Sequence, residues 1–153
     1  MIDTSNWKEF VISDLFKISS PAARKMSTYA VGLTPYVSSG TYNNGIVSYL
    51  EPKEDEELEK GRCITVSPLD GSAFYQGNDF LGRGGAGSAI SILRNDNLTE
   101  HNALFICSVI KNSAYRFGYN DALTSDNLKN LIVSLPANEN GQPDWDYMES
   151  WMK

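Results

Sequence analysis

The feature that most constrains the fold is a run of apolar residues at helical spacing in the last third of the chain. Within residues 99–117 the apolar positions follow one another every three or four residues, at Ala103, Cys107, Ile110, Ala114 and Phe117. This spacing predicts one amphipathic helix. Thr99 can cap its N-terminus, and Glu100 complements the helix dipole there. Further apolar neighbours up to Ile110 predict that the first half of the helix is largely buried.

The residues before this helix are rich in short strand signals separated by turn residues. Residues 10–18 predict an entering strand, and the β-branched content of residues 63–66 predicts another. Asn44-Gly45 is the strongest two-residue turn signal in the chain, and it separates strands predicted at residues 36–39 and 46–50.

Strand and helix signals also follow the long helix. Thr124 or Ser125 can cap a short helix, and residues 131–135 predict a buried strand that ends at Pro136. Asp144 can cap a final helix that carries Trp145, Met148, Trp151 and Met152. The whole chain, residues 1–153, is therefore predicted to form one α+β domain.

Net charge argues against strong binding to nucleic acid. The chain carries a formal charge of −6, whereas Lys and Arg supply most of the affinity for phosphates. Six of the 19 acids and two of the 13 bases lie in residues 51–60, so the rest of the chain has a net charge of −2. We expect this acidic segment to be a solvated, extended connector that points away from any DNA, and the domain alone to bind DNA weakly.

Composition also bears on the compartment. No stretch approaches the roughly 20 apolar residues that a membrane helix needs, and the first residues are polar and acidic, unlike a signal peptide. Cys63 and Cys107 each lie in an apolar run, which favours two reduced core thiols in a cytoplasmic protein. A disulfide between them is the less favoured alternative.

The sequence contains fragments of enzyme motifs without the context that each needs. Residues 82–87 match the dinucleotide-binding glycine pattern by letter, but a strand is predicted after them instead of a helix. A loop between strands, open to close approach by DNA, is the favoured interpretation. His101 is the only histidine and is expected on the helix surface, so triads and zinc sites lack their parts. We expect no cofactor, no metal and no catalytic activity.

Polar side chains on the loops between strands are the better functional candidates. They are Arg24, Lys25, Ser38, Ser39, Tyr42, Asn43, Asn44, Ser67, Asp70, Ser72, Tyr75, Gln76 and Arg83. Reading base edges requires bidentate groups, such as Arg for guanine and Asn or Gln for adenine. For Asn43-Asn44-Gly45 and Asp70-Gly71, ordinary turn chemistry is the alternative.

A series of short motifs in a characteristic order covers nearly the whole chain. They are Trp7-Lys8-Glu9-Phe10, Leu15-Phe16-Lys17-Ile18, Thr34-Pro35-Tyr36-Val37, Asn43-Asn44-Gly45-Ile46, Cys63-Ile64-Thr65-Val66 with Gly71, Tyr115-Arg116-Phe117, Leu135-Pro136 and Gly141-Gln142-Pro143-Asp144-Trp145. Their order and spacing resemble the target-recognition domain of type I restriction-modification specificity subunits.

This resemblance implies a fold and a set of partners. The fold is a twisted, mixed β-sheet with a few packed helices that present loops to the major groove. The partners are double-stranded DNA and a DNA methyltransferase subunit, with a second specificity half or self-association left open. In that family two such domains are separated by long helices. Here we expect one domain without the long spacer helix.

Two other functions remain open at this point. The acidic balance favours an interaction or decoy protein that keeps the fold but does not read DNA. A nucleotide-binding enzyme that uses the glycine segment at residues 82–87 is the least favoured.

Overall fold

The computed structural model describes residues 4–39, 42–85, 89–116 and 123–153. The strands are β1 (Trp7–Val11), β2 (Lys17–Ser19), β3 (Val31–Val37), β4 (Ile46–Leu50), β5 (Cys63–Val66), β6 (Ala73–Gln76), β7 (Leu81–Gly82), β8 (Ser91–Arg94) and β9 (Ile132–Pro136). The helices are α1 (Ile12–Leu15), α2 (Glu100–Arg116), α3 (Ser125–Lys129) and α4 (Trp145–Met152). Two 3₁₀ turns, Met26–Thr28 and Asn43–Gly45, flank β3.

The described strands form three sheets. One pairs β1 with β9, the second has the order β2-β8-β5-β6, and the third has the order β4-β3-β7. All pairs are antiparallel except β3 with β7, which is parallel. The predicted α+β class with mixed strand pairing is confirmed, although the strands are distributed over three sheets.

Helix α2 forms the centre of the main core. Its predicted stripe is buried at Ala103, Cys107, Ile110 and Ala114, which belong to one apolar cluster with Ile64 of β5 and Val133 of β9. Phe117, the last predicted member of the stripe, lies outside the described residues. The cap is also as predicted, because Thr99 Oγ1 accepts a hydrogen bond from the backbone N–H of Asn102 at 3.3 Å. The prediction that the first half of the helix is largely buried is also confirmed, with Leu104, at 42% exposed, as an exception.

Helix α4 packs against the rest of the molecule through one fully buried side chain, Met148. Its predicted cap is confirmed, because Asp144 Oδ1 accepts a hydrogen bond from the backbone N–H of Tyr147 at 3.0 Å. The Trp145 ring meets Phe16 edge to face, with centroids 6.3 Å apart. The last helix therefore belongs to the folded unit.

The prediction of one continuous entering strand is wrong, because two separate strands form there. β1 pairs with β9 and β2 pairs with β8, and the helical turn α1 separates them. Ile12 starts that turn, is fully buried, and donates its backbone N–H to Leu131 O at 2.9 Å. The local sequence pattern suggests that one strand continues through Ile12. Instead, Ile12 is buried at a helical turn, and the chain passes there from one sheet to another.

Two smaller apolar clusters support the β3 sheet. Val37, Cys63 and Phe80 belong to one, and Tyr36 and Leu81 to the other. Cys63 and Cys107 are both free and buried, and burial raises the pKa of the Cys63 thiol to about 11 and that of Cys107 to about 12. Among the described residues, no helix combines the length and the apolar character needed to cross a membrane.

Candidate functional site

The C-terminal end of β3 gathers several of the predicted polar residues. Ser38 donates its backbone N–H to Gly45 O at 3.0 Å on one side of the strand. On the other side, Arg83 donates its backbone N–H to Val37 O at 2.9 Å. We call this region the β3-end surface; its members are Ser38, Ser39, Tyr42, Asn43, Asn44 and Arg83.

The turn on the β3-end surface has strained backbone and exposed side chains. Asn43 and Asn44 have φ angles of 53° and 60°, in the left-handed region that Asn tolerates better than most residues. Tyr42 is 85% exposed, and both asparagines are exposed. The turn separates β3 from β4 as predicted, and β4 begins at Ile46, but β3 ends at Val37 instead of at residue 39, so that the connection runs over residues 38–45. The Asn-rich turn itself is present at the end of that connection.

A buried amide holds this turn from behind. Gln76, at the end of β6, is 4% exposed. Its Nε2 donates to Asn44 O at 2.8 Å and to Thr65 Oγ1 at 3.1 Å, while its Oε1 accepts from Asn44 Nδ2 at 3.1 Å. Asn44 Nδ2 also donates to Tyr75 O at 3.0 Å. Thr65 was not among the predicted site residues; its polar side chain on an otherwise apolar buried strand was the available signal.

Arg83 differs from Arg24 in the environment of its guanidinium. Its Nε is buried and has no hydrogen-bond partner; among the described residues, only one other buried side-chain polar atom, the Tyr36 hydroxyl, shares that condition. The Arg83 side chain is half-buried. Gly82 and Gly85 flank it as predicted, but residues 86–88 of the glycine segment lie outside the described residues.

Arg24, which is one of the predicted DNA-contacting loop residues, is buried in the structure. Its side chain is 2% exposed and its Nε lies 2.9 Å from Glu56 Oε2. Its Nη1 donates to Gly82 O at 2.8 Å and its Nη2 to Glu57 O at 3.1 Å. All three guanidinium nitrogens are therefore engaged with protein groups, and Arg24 fastens the acidic segment to β7.

The acidic segment is consequently not the free connector that its charge predicts. Glu56 accepts hydrogen bonds from Arg24 and from the Tyr29 hydroxyl, the latter at 2.6 Å. Partial burial alone would raise the pKa of Glu56, but the hydrogen bonds from Tyr29, Lys53 and Arg24 outweigh it and lower that pKa. Burial and the neighbouring carboxylate raise the pKa of Tyr29. Opposite charge at short range explains why the segment folds back onto the domain.

The predicted turn residues Ser67, Asp70 and Ser72 lie at the opposite end of the β5–β6 hairpin from Gln76. Ser67 and Ser72 are buried, and Asp70 Oδ1 accepts the backbone N–H of Ser72 at 2.9 Å. Lys111 Nζ of α2 lies 3.3 Å from Asp70 Oδ2. Burial raises the pKa of Asp70, but the hydrogen bonds from Ser72 and Lys111 dominate and lower it. This turn is internally satisfied, as the turn-chemistry alternative predicts.

The two remaining predicted residues, Lys25 and Tyr75, differ in whether their side chains face solvent or the core. Lys25 is exposed, next to the buried Arg24. Tyr75 packs its ring on the main core, where burial raises its pKa, and presents only its carbonyl to the turn.

The described part of the chain, residues 4–39, 42–85, 89–116 and 123–153, contains no assembled metal site. No group of three or more His, Cys, Asp or Glu side chains is placed to hold a metal ion within those ranges. His101 is not a plain surface residue, because its Nδ1 lies 3.0 Å from Glu149 Oε2 of α4. The Thr99 hydroxyl also bonds Glu149, so this carboxylate joins α4 to the start of α2.

Comparison with known proteins agrees with this arrangement of loops on a mixed sheet. The model of the type I restriction modification DNA specificity domain matches residues 4–153. A curated relative is the specificity subunit S.BcgI of a type II restriction enzyme from Heyndrickxia coagulans. It is 23% identical over 157 residues, which cover 96% of this chain and 42% of that protein.

Solved structures share the fold at lower identity. The S subunit of a type I restriction-modification system from M. genitalium superposes with a TM-score of 0.57 and 18% identity, over 97% of this chain and 39% of that one. The HsdS subunit from Thermoanaerobacter tengcongensis gives a TM-score of 0.61 and 13% identity, over 99% and 38% of the two chains. The chain thus spans about two fifths of the length of these relatives. It belongs to the family of type I restriction modification DNA specificity domains.

Proposed function

We propose that this chain is the sequence-reading module of a restriction-modification system and directs a partner adenine methyltransferase to its DNA site. The family match and the relatives named as specificity subunits support DNA recognition. Because the chain spans about two fifths of its relatives, the methyltransferase, a nuclease subunit and a second specificity half or second copy are proposed partners of the assembled system.

The observation that carries the proposal is the Arg83 side chain, whose Nε is buried without a hydrogen-bond partner among the described residues. A buried N–H without an acceptor is costly, and such groups in native structures usually have a functional explanation. Arg83 follows β7 and lies across β3 from the exposed Asn-rich turn, and backbone hydrogen bonds connect both to the end of β3. A guanine edge or a phosphate would supply acceptors to the outer nitrogens of this side chain.

The structure narrows the set of side chains that we propose to face DNA. Arg24, Ser67, Ser72 and Gln76 are buried and bonded within the protein. Asp70 is paired with Lys111, and Tyr75 packs on the core. The proposed set is Lys25, Ser38, Ser39, Tyr42, Asn43, Asn44 and Arg83.

The test starts by finding the site. The chain is co-expressed with the methyltransferase encoded beside it, and methylated positions are mapped across the host genome. Competition binding of the complex then compares the mapped site with a panel of its single-base variants. We expect Arg83→Ala to cost about 1–3 kcal/mol on the mapped site and to relax discrimination at one base position, as loss of a bidentate guanine contact does.

Lys25→Ala is the matched control, because it removes a positive charge that is not proposed to contact a base. It should weaken all duplexes alike and make the salt dependence of binding shallower by about one unit. Equal losses across the panel for Arg83→Ala would reassign Arg83 to a phosphate. An absence of methylation together with no effect of either substitution would contradict the proposal and favour the decoy function.

A further inference from the structure

We propose that Gln76 is a positioning residue for DNA readout, which acts by locking the Asn43–Gly45 turn in one orientation and does not itself touch a base. This inference rests on the function proposed above. In this proposal, DNA specificity depends on the buried Gln76 carboxamide behind the β3-end surface as well as on the exposed side chains of that surface.

The contacts between Gln76 and the turn form a two-way latch. The Gln76 carboxamide donates to Asn44 O at 2.8 Å and accepts from Asn44 Nδ2 at 3.1 Å. Both its donor and its acceptor atom are therefore used on the same residue. This reciprocal pairing fixes the position of Asn44 relative to β6 in a way that one hydrogen bond would not.

A further hydrogen bond, to Thr65, holds the Gln76 carboxamide of this latch in place. Gln76 is 4% exposed and Thr65 is 2% exposed, and Gln76 Nε2 donates to Thr65 Oγ1 at 3.1 Å. Because Thr65 lies in β5, between β6 and β8, the carboxamide is oriented by the most buried strand of its sheet. A base or phosphate cannot replace these contacts without displacing the turn.

The turn needs such support because its backbone is strained. Asn43, Asn44 and Gly45 have consecutive positive φ angles of 53°, 60° and 76°. Strained conformations persist when the surrounding structure over-determines them. A Cβ on Gly45 would lie 3.3 Å from both the Phe74 and the Val37 side chains, so the turn is seated directly on the sheet. Gln76 therefore sets where Tyr42 and Asn43 stand, and a small displacement of such groups weakens recognition.

The first experiment measures the latch without DNA. Gln76→Glu keeps the shape of the side chain but replaces the Nε2 donor with an oxygen that repels Asn44 O. Thr65→Val is the control, since it removes the hydrogen bond below the latch and leaves both bonds to Asn44. We expect amide hydrogen exchange at Ser38 and Gly45 to be about tenfold faster in Gln76→Glu than in Thr65→Val. Equal exchange in the two variants would overturn the latch.

The second experiment measures specificity in the complex with the methyltransferase. We expect Gln76→Glu to lower the ratio of binding to the mapped site over its single-base variants by about tenfold, with non-cognate binding unchanged. In a Tyr42→Ala background, which removes an exposed group that the turn presents, the further loss should be smaller, because the two residues act through one surface. A Thr65→Val complex should lose less of this ratio than Gln76→Glu, because both hydrogen bonds to Asn44 remain.

The outcomes separate this inference from the proposed function. If the wild-type complex discriminates and Gln76→Glu discriminates equally well, the positioning role is overturned while the proposed function stands. If Gln76→Glu and Thr65→Val lose discrimination in equal measure, Gln76 contributes only to stability and the inference fails. If the wild-type complex shows no site preference, the proposed function fails and this inference fails with it.

Discussion

Arg24 and Arg83 show how burial divides two residues of the same type. Both were predicted to contact DNA from polar loops, and both lie beside β7. Arg24 is 2% exposed at its side chain and all three of its nitrogens bond protein groups. Arg83 has a buried Nε with no partner. The sequence contains no signal that separates them, because the carboxylate partner of Arg24 is 32 residues away along the chain.

Removal of Arg24 should destabilise the protein strongly. Arg24→Ala leaves Glu56 and Glu59, whose side chains are 16% and 17% exposed, without their countercharge. Loss of one partner from a buried ion pair costs about 3 kcal/mol, because the remaining charge is left uncompensated. Denaturant unfolding monitored by tryptophan fluorescence measures the change in free energy.

The neighbouring residue provides the control for Arg24. Lys25→Ala removes the same charge from an exposed position and should change the free energy of unfolding by less than about 0.5 kcal/mol. If both substitutions cost the same, the contacts of Arg24 do not contribute to stability and Arg24 is available to DNA after all.

At the scale of elements, α2 and α4 pack together against the sheets. α2 packs on β5, β6 and β9, and α4 packs on α2. The carboxylate of Glu149 joins them through Thr99 and His101, and the hydrogen bond from Thr99, followed by those from His101, lowers the pKa of Glu149. The helices therefore support β5 and β6, and β6 carries Gln76, which holds the Asn-rich turn.

Truncation of the one fully buried side chain of α4 tests this support. Met148→Ala should lower the free energy of unfolding by about 3 kcal/mol, because a buried methionine is replaced by a cavity. Ser150→Ala, on the exposed side of the same helix, should change it by less than about 0.5 kcal/mol. A Met148→Ala protein as stable as the wild type would show that α4 is not part of the core.

At the scale of the whole molecule, the charges are arranged unevenly. Two acids of the segment at residues 51–60 are neutralised by Arg24, and Lys111 is engaged with Asp70. Few cations therefore remain for phosphates, and the net charge of −6 opposes a strong electrostatic contribution. Under the proposed function, specific recognition therefore depends on the geometry of a small surface and on the proposed partner subunit.

The salt dependence of binding measures this balance. We expect the chain by itself to make about two to four phosphate contacts. A plot of the logarithm of its affinity for duplex DNA against the logarithm of salt concentration should then have a slope of roughly −2 to −4. Fluorescence anisotropy across a salt series provides the slope. A slope near −10 would require a basic surface that this chain lacks among its described residues.

Local patterns determined the elements whose signals are short in range. The spacing of Ala103, Cys107 and Ile110 predicted α2, and the caps at Thr99 and Asp144 predicted where α2 and α4 begin. Such signals act between residues three or four positions apart, so the sequence contains them in full. The order of motifs along the chain likewise predicted the family that the comparison then showed.

Only the tertiary structure decided which polar residues are free to act. Gln76 and Asn44 are 32 residues apart in sequence, and their reciprocal hydrogen bonds depend on how β6 lies beside the turn. Arg24 is buried beside Glu56 for the same reason. An ion pair forms between charges that the fold brings close in space, whatever their separation along the chain. Composition predicts that a loop is polar. Whether its side chains face solvent or the protein depends on packing between distant segments, and no local pattern records that.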